Sequence, residues 1–175
     1  MTVILISLLT ATLSVPSIYD FTLRTIDGVE KSLADYRGKV LLIVNVASEC
    51  GYTPQYADLE KLYRTYREKG LAVLAFPSND YGGQEPGSNA DIKKFCTTRY
   101  GVSFDLFEKI STRGEKKHPL YAYLTSHATP SGEVGWNFEK FLISRDGKIV
   151  ARFKSSVNPM SQEVIKAVEA ELAKK

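Results

Sequence analysis

The stretch Val44-Asn45-Val46-Ala47-Ser48-Glu49-Cys50-Gly51-Tyr52-Thr53-Pro54 carries an apolar run straight into a cysteine. The chain has two cysteines, and this one falls where a buried strand should end and a helix begin. Backbone N–H groups at a helix N-terminus lack intrahelical partners. Together with the helix dipole they favour an anion, so the nucleophilic thiolate form of Cys50 is expected to be favoured. Gly51 leaves the backbone open to approach, and Pro54 suits a first helical turn. A disulfide-exchange pair of the Cys-x-x-Cys type would need cysteine at position 53, where Thr53 stands. A resolving thiol must therefore come from elsewhere. The competing reading is a packed, inert core cysteine.

The elements that would position Cys50 are legible. Lys39–Ala47 is a nearly continuous β-branched run and reads as a central strand buried on both faces. Helical spacing runs from Pro54 to about Lys69, with Tyr56, Leu59, Leu62, Tyr63 and Tyr66 on one face and Gly70 as the stop. Leu71–Phe76 is a second buried strand halted by Pro77, and Ser78–Gly87 is loop. Ser88-Asn89-Ala90-Asp91 has capping-box form and opens a helix to about Arg99 that carries Ile92, Phe95 and Cys96. A short strand near Phe104–Phe107 and a helix around Pro119–Leu124 follow. Phe138–Ser144 and Ile149–Phe153 form a hairpin turned at Arg145-Asp146-Gly147-Lys148. A last amphipathic helix starts at Ser161, with Val164, Ile165, Val168 and Leu172 on one side. Upstream, Phe21–Ile26 alternates apolar and polar and meets a turn at Asp27-Gly28, which predicts a hairpin edge. The order β-α-β-α-β-β-α is α/β: a thioredoxin-like fold with a central mixed β-sheet and helices on both faces.

Composition narrows the functional classes. The chain has 175 residues, 43% hydrophobic and 25% charged, enough for one core, and residues 16–175 are expected to form a single domain. A net charge of +3 with scattered lysines, with small clusters at Lys116-Lys117 and Lys174-Lys175, matches no nucleic-acid module, so no nucleic-acid partner is expected. His118 and His127 have no ligand spacing with the cysteines, so no metal and no cofactor are expected. Residues 1–15, MTVILISLLTATLSV, are uncharged. Their apolar run of about 13 residues suits the core of an export signal and is too short to span a bilayer. No stable membrane insertion is expected. A basic start is missing, and Thr12 and Ser14 would precede a cleavage near Val15. An exported or periplasmic location is favoured, with an apolar arm on a cytoplasmic protein as the alternative.

Three blocks, in order and in spacing, resemble the glutathione peroxidase family. They are Asn45-Val46-Ala47-Ser48-Glu49-Cys50-Gly51-Tyr52-Thr53, then Leu74–Tyr81 with Gly83-Gln84-Glu85-Pro86-Gly87, then Trp136-Asn137-Phe138-Glu139-Lys140-Phe141-Leu142. The resemblance runs from about Ile18 to the C-terminus. It implies a peroxidase whose cysteine nucleophile is surrounded by Gln, Trp and Asn side chains, here Cys50, Gln84, Trp136 and Asn137. Each partner carries an N–H donor that would stabilise the thiolate, polarise the peroxide O–O bond and hold the departing oxygen. No histidine base is required.

The segment Lys94–Tyr100 resembles that of the resolving cysteine in two-cysteine members, which implies that Cys96 closes a disulfide on oxidised Cys50. The implied substrates are hydrogen peroxide and organic, including lipid, hydroperoxides. The implied reductant is a thioredoxin-like dithiol, with glutathione as the weaker alternative. The two sulfurs sit on different elements and are expected to start too far apart to bond, because a disulfide needs Cα atoms within roughly 7 Å. The helix around Cys96 must then loosen during turnover.

Two departures matter. Ser78 and Asp80 stand where many members have Cys and Gln, which leaves Cys96 as the only intrachain partner. The stretch His127–Gly135 is short beside the long loop of tetrameric, glutathione-using members, which implies an open site and a monomer or dimer. The readings from other classes are a redox-inert thioredoxin-like binding module with structural cysteines, a disulfide oxidoreductase disfavoured by Thr53, and Cys-His acyl transfer without a motif context.

Overall fold

The computed structural model describes residues 16–174. The apolar segment 1–15 lies outside the described residues. The predicted central strand is β3, Val40–Val46, in which every residue is buried. Through the connecting helix α1 (Gln55–Tyr66), β3 pairs in parallel with β4 (Leu71–Pro77), from Val40 opposite Leu71 to Val46 opposite Pro77. On its other side β3 runs antiparallel to β6 (Lys140–Ile143), which pairs in turn with β7 (Ile149–Phe153). The two-residue β5 (Asp105–Leu106) lies parallel to β4 at the far edge, so the order is β5-β4-β3-β6-β7. That is the expected mixed sheet of a thioredoxin-like fold.

Side chains alternate along a strand, so β3 feeds two cores. Val40, Leu42, Val44 and Val46 pack on α1, α2 (Asn89–Tyr100) and α4 (Gln162–Ala173), through residues such as Tyr56, Leu59, Ile92, Cys96 and Val164. Leu41 and Ile43, with Leu74 and Phe76 of β4, pack on α3 (Pro119–His127) and the N-terminal segment. Each fully buried aliphatic side chain contributes about 1.5–3 kcal/mol. A one-residue slip of β3 would exchange both sets at once, so its register is fixed. The height at which Cys50 leaves the sheet is fixed with it.

Several boundaries differ from the sequence expectation. The helix after Cys50 begins at Gln55 with Pro54 as its cap, because residues 50–55 first wind through successive turns. In those turns the Thr53 amide donates to the Cys50 carbonyl and the Gln55 amide to that of Tyr52. The helix closes at Tyr66, and a short 3-10 turn follows before Gly70, left-handed at φ 104°, stops it as expected. The predicted capping box of Ser88 and Asp91 is present. The predicted hairpin forms as β1 (Thr22–Arg24) and β2 (Glu30–Ser32), but as a separate two-stranded sheet, with an isolated bridge between Thr25 and Phe107 and an ion pair from Asp27 to Lys93.

Asn45 is the polar exception within β3. Its amide N–H donates to the Trp136 carbonyl at 3.0 Å, and its side-chain oxygen accepts from the Glu139 amide at 3.0 Å. Its backbone carbonyl accepts from Phe138, which is the non-glycine residue held at a left-handed φ of 64°. That conformation costs about 1–3 kcal/mol and persists only where its surroundings impose it. Replacing Asn45 by Leu strands two buried backbone groups, so Asn45→Leu should cost roughly 3 kcal/mol, read as a lower urea midpoint. The single tryptophan, Trp136, should report the freed loop by a shifted emission maximum. An unchanged midpoint and spectrum would mean that other contacts hold the loop.

Candidate functional site

Three loops emerge at one end of the sheet. Residues 47–54 follow β3, residues 78–88 follow β4, and residues 128–139 precede the antiparallel β6. In open α/β sheets the carboxyl ends of the strands are where ligands are met.

Cys50 lies in the first loop and is 8% exposed. Its Sγ accepts from the Tyr52 amide at 3.4 Å. Thr53, in the place where an exchange pair would have its second cysteine, shapes the loop. Its hydroxyl accepts from the Cys50 amide at 2.9 Å and donates to the Ala47 carbonyl at 2.9 Å, tying the cysteine to the end of β3. Residue 53 thus supplies no second thiol and instead ties down the turn that carries Cys50.

The second loop bends through Gly82 and Gly83, both left-handed at φ 67°. A side chain would be strained at either position. The bend delivers Gln84, whose carbonyl accepts from the Glu49 amide at 3.0 Å, next to Cys50 in sequence. The Gln84 side-chain oxygen accepts from the Asn137 amide N–H at 3.0 Å, which leaves the Gln84 N–H pair as its unspent donor. A Cβ placed on Gly82 would lie 3.7 Å from both Gln84 and the Trp136 ring, so the two side chains flank the same glycine. Asp80 anchors this loop from behind. Its carboxylate accepts from Ser78, Ser111 and the Thr112 amide, and it does so as an acceptor-only group where an amide side chain could not serve every donor.

The third loop carries Trp136, 38% exposed, and Asn137, fully buried. Trp136 meets the ring of Tyr81 edge to face at 5.9 Å. The loop is built on a buried ion pair. Arg152 Nε donates to Glu139 at 2.5 Å, both side chains being 1% exposed. The same guanidinium donates to the carbonyls of Pro130, Gly132 and Glu133, while the second Glu139 oxygen accepts from Gly135.

Gln84 and Asn137 therefore touch, Trp136 stands beside them, and Gln84 is joined to the residue preceding Cys50. Cys96 is apart from this group. It sits on α2 in the core, fully buried, and both cysteines are free thiols. Burial pushes its thiol up to about 11, with the neighbouring Tyr56 hydroxyl opposing that shift and Glu85 adding to it. Both histidines serve α3: His118 accepts from the Leu120 amide as the cap, and His127 stacks on Tyr123. Among the described residues no group of three or more His, Cys, Asp or Glu is arranged to hold a metal, and no helix is long and apolar enough to cross a membrane.

Sequence reasoning passed over Asn45 and Thr53 as positioning residues. Asn45 had a visible signal, a lone amide inside a buried apolar run. Thr53 had none beyond its spacing from Cys50.

Comparison with known proteins identifies the family. The glutathione peroxidase family model matches residues 18–125. The glutathione peroxidase homolog BsaA of Halalkalibacterium halodurans is 50% identical over 146 residues, covering 82% of this chain and 93% of that protein. A hydroperoxy fatty acid reductase of Synechocystis is 47% identical over 152 residues, covering 82% and 89%. The crystal structure of Trgpx in apo form superposes with a TM-score of 0.76 at 34% identity, covering 92% of this chain and 98% of the other. The chain belongs to the glutathione peroxidase family, peroxidases on a thioredoxin-like fold.

Proposed function

We propose that the protein is a thiol peroxidase in which Cys50 reduces hydrogen peroxide and organic, including lipid, hydroperoxides. The observation that carries this reading is the junction of the three loops around Cys50. Gln84 is hydrogen-bonded through its backbone to Glu49 and through its side chain to Asn137, with Trp136 alongside. The Cys50 thiolate attacks the terminal peroxide oxygen, the O–O bond breaks, and the alkoxide or hydroxide leaves with a proton as alcohol or water. Sulfur is oxidised by two electrons to the sulfenic acid, and the peroxide is reduced. Gln84, Trp136 and Asn137 act as fixed donors for the charge that moves from sulfur to oxygen. The part-exposed indole of Trp136, on the loop that meets Gln84, suits a substrate with an apolar tail, in keeping with the Synechocystis relative that is named for hydroperoxy fatty acids.

Cys96 then attacks the sulfenic acid, and a thioredoxin-type dithiol reduces the resulting disulfide by exchange, with glutathione as the weaker alternative. Both cysteines and the donors Gln84, Trp136 and Asn137 come from one chain, so a monomer or a dimer suffices. Because Cys96 is fully buried on α2, this step requires α2 to loosen locally.

The assignment makes sharp demands. Cys50→Ser should lower peroxide turnover by at least about 10³-fold in a coupled NADPH assay. Cys96→Ser should keep the first oxidation, captured as a dimedone adduct on Cys50, and lose turnover driven by thioredoxin and its reductase. Full turnover in Cys96→Ser would instead make this a one-cysteine enzyme served by small thiols. Hydrogen exchange across residues 88–100 should be faster in the disulfide form than in the reduced form. Equal protection in both, with the disulfide confirmed by mass, would contradict a lasting rearrangement of α2.

A further inference from the structure

The loop between β5 and α3 carries a cation that the peroxidase cycle does not use. Residues 111–118 close on themselves, the His118 amide donating to the Ser111 carbonyl at 2.9 Å and the Lys117 amide to that of Gly114 at 3.1 Å. Arg113 is pinned at the base of this loop by its backbone. Its amide donates to Asp80 Oδ2 at 3.3 Å, and its carbonyl accepts from the Ser111 hydroxyl at 3.0 Å. Asp80 belongs to the loop that delivers Gln84, so Arg113 is held in register with the site. The residue itself is exposed. Among the described residues its guanidinium makes no hydrogen bond and no ion pair, and it lies over the ring of Tyr81. Its five donors are unspent.

Tyr81 stands between this cation and the site. Its side chain is 1% exposed, and its hydroxyl is bonded to that of Thr112. The Arg113 Cζ is 5.6 Å from the Tyr81 ring centroid and the Trp136 ring is 5.9 Å from it, so guanidinium and indole are at most about 12 Å apart. Trp136 is part-exposed and flanks Gly82 together with Gln84. A row thus runs from the unspent N–H pair of Gln84, past a part-exposed indole, to an unpaired cation.

We propose that Arg113 binds the carboxylate of a fatty-acid hydroperoxide whose acyl chain lies across Trp136 and whose peroxide is met at Gln84. The proposal deepens the reading of Cys50 as the peroxide-reducing thiol and rests on it. Donor, apolar surface and cation follow one another in the order of the three parts of such a molecule. The planar guanidinium fork matches a carboxylate with two parallel hydrogen bonds. The short separation from the indole is within reach of a single acyl chain, so peroxide and head group belong to the same chain. A phospholipid would carry its phosphate beyond a glycerol ester. Neighbouring acids do not claim the guanidinium. Asp80 is spent on Ser78, Ser111 and the Thr112 amide, Glu133 pairs with Lys117, and Glu139 pairs with Arg152. Glu115 and Lys116, exposed in the same turn, offset each other in sign. An exposed cation away from the sulfur adds binding of the acid and leaves the attack on oxygen as it is.

The test compares peroxides in a single oxidation that needs no reductant. Reduced protein is mixed with linoleic acid hydroperoxide, with its methyl ester or with hydrogen peroxide, each lipid below its micelle-forming concentration. Loss of the Cys50 thiol is followed by rapid quench and mass. The free acid should oxidise Cys50 about 5-fold faster than the ester, the worth of one exposed ion pair. High salt should remove the difference. Arg113→Gln should abolish the preference and leave oxidation by the ester and by hydrogen peroxide unchanged. Arg113→Lys should keep part of it, because the charge remains and the fork is lost. If Arg113 merely braces Tyr81, Arg113→Gln slows all three peroxides alike. That outcome, a preference that survives Arg113→Gln, or no preference for the acid in the unaltered protein overturns the proposal. Failure of all three peroxides to oxidise Cys50 would remove the peroxidase reading and this proposal with it. Normal oxidation without preference for the acid removes the role of Arg113 only.

Discussion

Two hydrogen bonds from the Asn45 side chain hold the site together. A polar residue in the middle of a buried strand is costly unless both its donor and its acceptor are used. Here each is spent on the backbone of one loop, at Trp136 and Glu139. The strand that ends in the Cys50 loop is therefore the same rigid body that clamps the loop bearing Trp136 and Asn137. Because β3 is buried on both faces its register cannot drift, and the geometry between the loops inherits that rigidity.

Charge is handled in two different ways around this clamp. Glu139 and Arg152 form a buried pair in which nearly every remaining donor is satisfied by loop carbonyls, and such pairs specify a geometry more than they add stability. Glu85 is the opposite case, a carboxyl as deeply enclosed with an oxygen left unpaired. A fully satisfied network shapes a loop. A partly satisfied one leaves a titratable carboxyl enclosed beside the Cys50 loop.

Much of the molecule was readable from the chain. Runs of β-branched residues named β3 and β4, the spacing of Tyr56, Leu59 and Leu62 named α1, and Ser88 with Asp91 marked the start of α2. These readings succeed because each depends on side chains a few residues apart. The N-terminal hairpin was recognised as a hairpin yet misplaced in the sheet, since local alternation says nothing about which edge a short strand joins. Gln84, Trp136 and Asn137 were named by resemblance to a family. Their contacts were not, and neither were the roles of Asn45 and Thr53.

The amino-acid order alone determined that a cysteine would stand at the end of a buried strand, that no second cysteine would follow three residues on, and that the chain would build an α/β sheet. Only the folded chain decided what surrounds that sulfur. Asn45 meets Trp136 across 91 residues, and Asn137 meets Gln84 across 53. Contacts at such separations are set by strand order and register, which arise when two cores close on one sheet. No local pattern of hydrophobicity or turn chemistry encodes them.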